Sequence, residues 1–282
     1  MRLRLFKTLW GHEGSFADAI TQARTAGFHG IEGPAPATHD QAISYRQQLA
    51  DAGFDYIAEI CTAGSYVPER HASLQDHLDS FASKLERSLA LNPLFVTCLG
   101  GCDAWPEAVS IEFFARAMEQ ASNSGIEVSF ETHRSRSLFT PWVTERILRE
   151  LEEMQITCDF SHWCVVCERL METEMPTIEA IAPRARHIHA RVGYDQGPQV
   201  PHPAAPEYEA ALRSHQQCWE RLWQSQQRKG VAYTTMTPEF GPDGYLHKAP
   251  FTGEPVANLW EINQWIAQEE CRHFECWRET LL

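Results

Sequence analysis

Hydrophobic and polar positions along the chain repeat one phrase: an amphipathic helix, a glycine, then a short apolar strand. It appears as Ala26-Gly27-Phe28-His29-Gly30-Ile31-Glu32 and as Ala52-Gly53-Phe54-Asp55-Tyr56-Ile57. It returns at Ser124-Gly125-Ile126-Glu127-Val128 and Lys229-Gly230-Val231-Ala232-Tyr233. A glycine just past a helix takes the left-handed conformation cheaply and turns the chain into the next strand. Repeated helix–glycine–strand units mean alternating β and α, hence a parallel sheet. The pattern predicts eight strands, near residues 3–10, 30–34, 55–61, 95–100, 126–132, 155–160, 187–192 and 232–239. Helices are expected at about 15–26, 39–52, 69–91, 107–124, 141–153, 166–182 and 207–228, with a last one near 256–270. Ser15 with Asp18, Pro68-Glu69, Pro106-Glu107 and Pro141 carry helix-start signals.

Eight strands alternating with eight helices predict a single (β/α)8 TIM-barrel domain over residues 1–282. The aromatic and apolar tail, from about Cys271 to Leu282, is expected to pack on it. A doubly wound open sheet is the rival architecture. No Gly-x-Gly-x-x-Gly follows the first strand, so a dinucleotide site has no support. The Pro- and Gly-rich segment Gly193–Glu207 reads as a long loop over the barrel mouth, where long loops tend to be functional.

Several strands end on polar residues. Ile156-Thr157-Cys158-Asp159 runs out into an Asp-x-x-His turn that carries His162 and Trp163. Val128-Ser129-Phe130-Glu131-Thr132-His133, His187-Ile188-His189-Ala190-Arg191 and Thr235-Met236-Thr237-Pro238-Glu239 end in the same way. Strand side chains alternate faces, so Glu131 with His133, Asp159, His187 with His189 and Arg191, and Glu239 all point inward if one of each set does. At the C-terminal mouth these ends would converge. Two Glu, one Asp and one His are costly to bury together unless a divalent cation resolves the repulsion. Oxygen-rich ligation with one imidazole favours one Mn²⁺ or Mg²⁺ and would accept Zn²⁺ or Co²⁺.

Composition narrows the partners. The chain has 282 residues, 43% hydrophobic and 22% charged, which suits an ordinary globular protein with a sizeable core. Net charge is −14 with no basic block, which argues against nucleic acid, because phosphate binding needs Lys and Arg. No apolar run reaches the roughly 18 residues of a membrane span. Strand-like sequence begins at once, without a signal-peptide pattern, so a cytoplasmic location is expected. The nine cysteines are scattered, and Cys164-Val165-Val166-Cys167 has no second pair to complete a zinc ribbon, so helix-face packing is its default.

The series Glu131, Asp159-x-x-His162, His187-x-His189 and Glu239 resembles the xylose isomerase-like barrels, specifically the sugar phosphate isomerase/epimerase family. The resemblance runs from the first strand to the eighth. It implies Glu131, Asp159, His189 and Glu239 as metal ligands, with Glu131 and Glu239 doubling as the catalytic acid/base pair. Around a small sugar or polyol substrate, His133 is a further pocket candidate and Trp10, Trp105 and Trp163 would suit a wall that stacks on apolar sugar faces, while His162, His187 and Arg191 are placed there by the resemblance. It also allows a homo-oligomer. The implied activity is isomerisation or epimerisation of a sugar, sugar phosphate or related polyol through an enediolate. A dehydratase of the inosose dehydratase kind shares the first step. An endonuclease IV-like hydrolase needs a histidine near the end of the fourth strand, which reads Thr97-Cys98-Leu99-Gly100-Gly101. A barrel that binds sugar without turnover is the remaining class. Two departures bear on the substrate: Arg191 comes only two residues after the His-x-His, and Glu131-Thr132-His133-Arg134-Ser135-Arg136 is not the usual epimerase wording. Arg134, Arg136 and Arg191 would suit a phosphate or carboxylate.

Overall fold

Gly53 ends a helix in the left-handed conformation, at φ 66°, and the chain turns there into a strand, as the repeated phrase requires. The computed structural model describes residues 1–242 and 244–280. Its first half runs β1 (Arg2–Thr8), α1 (Phe16–Thr25), β2 (Gly30–Gly33), α2 (His39–Ala52), β3 (Asp55–Cys61), α3 (Leu74–Leu89), β4 (Val96–Leu99) and α4 (Glu107–Asn123). The second half runs β5 (Val128–Glu131), α5 (Pro141–Glu150), β6 (Gln155–Cys158), α6 (Ser161–Cys167), α7 (Met175–Ile181), β7 (Ala185–Ala190), α8 (Glu209–Arg228), β8 (Tyr233–Pro238) and α9 (Leu259–Glu279). The strands pair in parallel in sequence order, and β8 closes on β1 into a barrel.

The barrel interior changes character from bottom to top. Phe6, Ile57 and Phe95 plug the lower end. Gly30 makes room for that plug, since a Cβ there would meet the Phe6 ring at 2.6 Å. One layer higher, Thr97 Oγ1 donates to Thr157 Oγ1 at 2.8 Å, and Ser129 Oγ lies 2.6 Å from Thr157 Oγ1. These hydroxyls satisfy one another in a space closed to water. The next layer toward the C-terminal ends carries Glu32, Glu59, Glu131 and His189. Alternate residues such as Tyr56, Ile60, Phe130, Ile156, Ile188 and Met236 face outward into the apolar core under the helices. Both strand faces are therefore buried, as in other all-parallel sheets.

Several boundaries differ from the sequence expectation. α3 begins at Leu74 because Ser73 and Asp76 form a reciprocal capping box, which outcompetes the Pro68-Glu69 signal. The helix expected over 166–182 is two pieces, α6 and α7, separated by Glu168 in the left-handed conformation at φ 49° and a short 3-10 turn over Met171–Glu174. α6 starts directly after Phe160, since Asp159 Oδ1 accepts from the Ser161 backbone N–H at 2.9 Å. His162 and Trp163 therefore sit in a first helical turn. Cys164 is buried, 3.9 Å from His215 Nε2, and Cys167 is half-buried with a free thiol. α9 runs through most of the expected tail, where Phe274 and Trp277 pack on Trp223 of α8 at 5.0 and 5.5 Å. Residues 281 and 282 of that tail lie outside the described ones. The segment after β7 is pinned to the loop after β8: Gln199 exchanges two hydrogen bonds with the Gly241 backbone, at 2.8 and 3.2 Å.

One core position works against stability. Lys7 points outward from β1 beneath Trp260 of α9, 4.7 Å from the ring centroid, and only 5% of it is exposed. Burial lowers its pKa from 10.5 to about 8. At neutral pH the ammonium is charged in both folded and unfolded chains, and only the folded one bears the desolvation. Lys7→Met is expected to raise unfolding stability by about 1–2 kcal/mol at pH 7. The gain should fade as pH rises from about 8 to 10.5, where the wild-type lysine also loses its charge. Urea titration at pH 7 and pH 10 checks this; a destabilised variant would mean that the cation–π contact outweighs the desolvation.

Candidate metal centre

Four strand ends deliver one group. Glu131 ends β5, Asp159 follows β6, His189 lies on β7 and Glu239 follows β8. Each offers a donor atom within 4.8 Å of the other three, and all are buried. His189 Nδ1 lies 3.0 Å from Glu239 Oε2 and 3.6 Å from Glu131 Oε1. Neither approach has hydrogen-bond geometry, so His189 Nδ1 is a buried nitrogen without a partner, as is the oxygen Glu131 Oε2. Buried polar atoms left unpaired at the centre of a carboxylate cluster fit a cation that would take their lone pairs.

The electrostatics point the same way. Burial, offset in part by His189 and reinforced by Glu239 and Asp159, lifts the Glu131 carboxyl to about 7. Burial and the carboxylates of Glu239, Glu32 and Glu131 lift Glu59 to about 8. Burial alone would lower His189, yet Glu239, Glu32 and Glu131 hold it well above its ordinary value. Without a cation, the cluster therefore resists carrying its full negative charge. A divalent ion would restore the charged forms, and the donor set of three carboxylates and one imidazole suits Mn²⁺ or Mg²⁺.

Glu32 lies behind His189, fully buried at the end of β2. Its Oε1 accepts from His189 Nε2 at 2.9 Å, and its Oε2 accepts from His187 Nε2 at 3.0 Å and from the Thr237 hydroxyl. Burial would raise this carboxyl, but His189 and His187, with hydrogen bonds from both, hold it well below the usual carboxylate range.

Above the cluster lies a cavity of about 390 Å³, lined in part by Glu59, Glu131, His133, Arg191 and Glu239. Trp10, Tyr66 and Tyr245 wall it and pack on one another, with ring centroids 5.0–6.0 Å apart. These loop aromatics come from the ends of β1, β3 and β8. Gly193–Glu207, expected to cover the mouth, contributes none of these lining residues, although Arg191 just before it does.

The other sequence-derived candidates divide by position. His133 lines the cavity and packs against His162, with ring centroids 3.9 Å apart and planes tilted by 49°. His162 Nε2 lies 2.6 Å from Arg191 Nη2 and accepts from it, which puts the ring proton on Nδ1. Burial, then neighbouring cationic groups, hold both imidazoles well below their ordinary values, so both are neutral. Arg191 also donates to Asp159 and, at 3.0 Å, to Ser161 Oγ, while Trp10 and Tyr245 flank its guanidinium. Its donors are thus largely engaged within the protein. Arg136, an anion-binding candidate in the sequence, is consumed by backbone carbonyls of Thr62, Ser65, Tyr66 and Gly101. His187 sits beneath the cluster, its Nδ1 2.8 Å from Thr235 Oγ1, and is not among the lining residues. Trp163 is fully buried, its indole N–H donating to Leu138 O at 3.0 Å, and it too is absent from the lining. Of the tryptophans considered for the sugar wall, Trp10 lines the cavity and Trp105 packs on His77 and Phe113. Glu59, Tyr66 and Tyr245 are cavity residues without a strong sequence signal. Glu59 could be read only as an inward position on β3.

No family model matches the chain, and no curated protein matches it. Solved structures are similar to it. An L-ribulose 3-epimerase matches with a TM-score of 0.66 and 12% identity, over 100% of this chain and 97% of the other. A xylose isomerase-like TIM barrel protein from Mycobacterium smegmatis, in complex with magnesium, gives 0.63 and 15%, over 96% and 97%. A probable 3-DHS dehydratase from Bacillus anthracis gives 0.60 and 13%, over 95% and 98%. At these identities the likeness establishes the fold, a xylose isomerase-like (β/α)8 barrel.

Proposed function

We propose that this chain is a divalent-metal-dependent isomerase or epimerase of a sugar, sugar phosphate or related polyol, with Mn²⁺ or Mg²⁺ as its metal. The observation that carries this reading is the quartet Glu131, Asp159, His189 and Glu239, with two unpartnered donor atoms, beneath an aromatic-walled cavity. The sugar epimerase among the structural neighbours supports it.

When bound, the metal would polarise a substrate carbonyl and acidify the neighbouring C–H. The chain's own residues do the rest. Glu131 and Glu239 come from β5 and β8, well separated around the ring, so their carboxylates reach a substrate from different sides. One removes the proton and the other returns one to the opposite face of the enediolate. Trp10, Tyr66 and Tyr245 offer ring faces to the apolar side of a sugar and keep bulk water from the reacting carbon. His133, neutral and at the cavity surface, can hydrogen-bond a substrate hydroxyl.

One observation favours a second reading. Glu59, lifted to about 8, is a carboxylic acid at neutral pH and faces the same cavity. It can protonate a departing β-hydroxyl, which would make the protein a dehydratase, and the dehydratase among the neighbours is in keeping with that. A hydrolase reading lacks its histidine at the end of β4, where Leu99 lines the cavity.

Incubating Mn²⁺-loaded protein with a panel of ketoses and ketose phosphates in D₂O tests the proposal. The expected product is an isomer carrying one solvent deuterium at the carbon beside the carbonyl, read by mass spectrometry and NMR. A product free of deuterium would reject proton transfer by the glutamates. A product lighter by one water would move the assignment to the dehydratase.

A further inference from the structure

We infer that Glu32 is the positioning residue of the metal centre: it fixes the tautomer and orientation of His189 so that Nδ1, and not Nε2, is the ligand atom. The inference rests on the metal-dependent reading above and deepens it. His189 has two faces in a fully buried setting. Nε2 lies 2.9 Å from Glu32 Oε1, and Nδ1 faces Glu239 and Glu131 with no hydrogen-bond partner. An ionised carboxylate can only accept, so Nε2 must carry the proton. Once a metal displaces any second ring proton, Nδ1 would present its lone pair to the space among the three carboxylates, the arrangement by which an outer carboxylate orients a ligating imidazole.

Glu32 is itself held. It reaches across the barrel interior from β2, accepting from His187 Nε2 at 3.0 Å and from the Thr237 hydroxyl at its second oxygen. His187 is set in turn by Thr235 Oγ1 at 2.8 Å from its Nδ1. Two imidazoles from one strand therefore donate to a single carboxylate. That assigns a role to His187, which lies below the cavity and out of a substrate's reach: it anchors the residue that orients His189.

The test is calorimetric titration of Mn²⁺ into the wild type, Glu32→Gln and Glu32→Ala, with ¹⁵N-histidine NMR of the Mg²⁺-loaded proteins. Loss of the carboxylate in Glu32→Ala is expected to weaken Mn²⁺ binding by roughly 10–100-fold. Glu32→Gln keeps one acceptor and should lose less. In the wild type, the His189 proton should be found on Nε2. If Glu32→Ala fails to fold, Glu32→Gln and the wild-type spectrum still decide. Wild-type affinity in a folded Glu32→Ala, or a His189 proton on Nδ1 in the loaded wild type, would overturn the inference while leaving the metal centre standing. Absence of Mn²⁺ binding in the wild type would overturn both, and so marks failure of the underlying reading.

Discussion

Exchanging Glu131 or Glu239 for glutamine is expected to lower kcat by roughly 10²–10⁴-fold, the range of a positioned acid or base. Both measurements belong at Mn²⁺ concentrations far above each variant's own Kd, so that loss of the proton carrier is separated from loss of a ligand. Glutamine is nearly isosteric and cannot take or give the proton. Metal-free Glu131→Gln should be at least as stable as the wild type, because a buried carboxyl that burial and its neighbours already push to about 7 is replaced by a neutral amide. Steady-state kinetics on the substrate found in D₂O, with thermal unfolding of the metal-free proteins alongside, would check this. Near-wild-type kcat in either variant removes that glutamate from the chemistry.

On the proposed metal-dependent reading, metal removal is expected to have the second large effect. A ligand at about a thousandfold its Kd stabilises the folded state by about 4 kcal/mol, so Mn²⁺ should raise Tm by on the order of 10 °C over the EDTA-treated protein. The sign of the pH dependence follows from the cluster. In the metal-free protein Glu131 is lifted to about 7, and His189 lies well above its ordinary value. As pH falls through about 7, protons occupy atoms the metal must take, and affinity drops by up to about tenfold per pH unit for each proton displaced. The Mn²⁺-induced shift should thus be larger at pH 8.5 than at pH 5.5, as scanning calorimetry would show. A shift independent of pH would detach Glu131 and His189 from the metal.

How much of this was legible in the sequence depends on the range of the forces involved. The barrel could be read because each helix–glycine–strand unit is set by local propensity and a local turn, visible within about ten residues. Glu131, Asp159, His189 and Glu239 could be picked out because alternation places them at the inward ends of strands, and the structure brings all four together. Glu32 also sits at a strand end, but its meaning lies in His187 and His189, more than 150 residues away, and no local pattern reports that distance. The start of α6 was obscured because Asp159 does two things, anchoring Ser161 at the helix start while facing the cluster. Trp163 looked like a sugar wall because aromatic residues near a mouth often are. The helix rotates it instead into the packing against Phe160. Tyr66 and Tyr245 stand on loops, where neither period two nor period 3.6 offers a signal.

On the proposed function, Arg136 carries a consequence for the timing of turnover. Its guanidinium gathers the carbonyls that follow β3 and β4, Thr62, Ser65, Tyr66 and Gly101, from a fully buried position. That knot fastens the backbone beneath Tyr66, so one side of the cavity wall is set before a substrate arrives. An enzyme built this way selects by shape in its resting state and need not spend binding energy on drawing that wall shut. New substrate preferences would then arise from exchanging single wall side chains such as Tyr66 or Tyr245, with the loop lengths around them left alone.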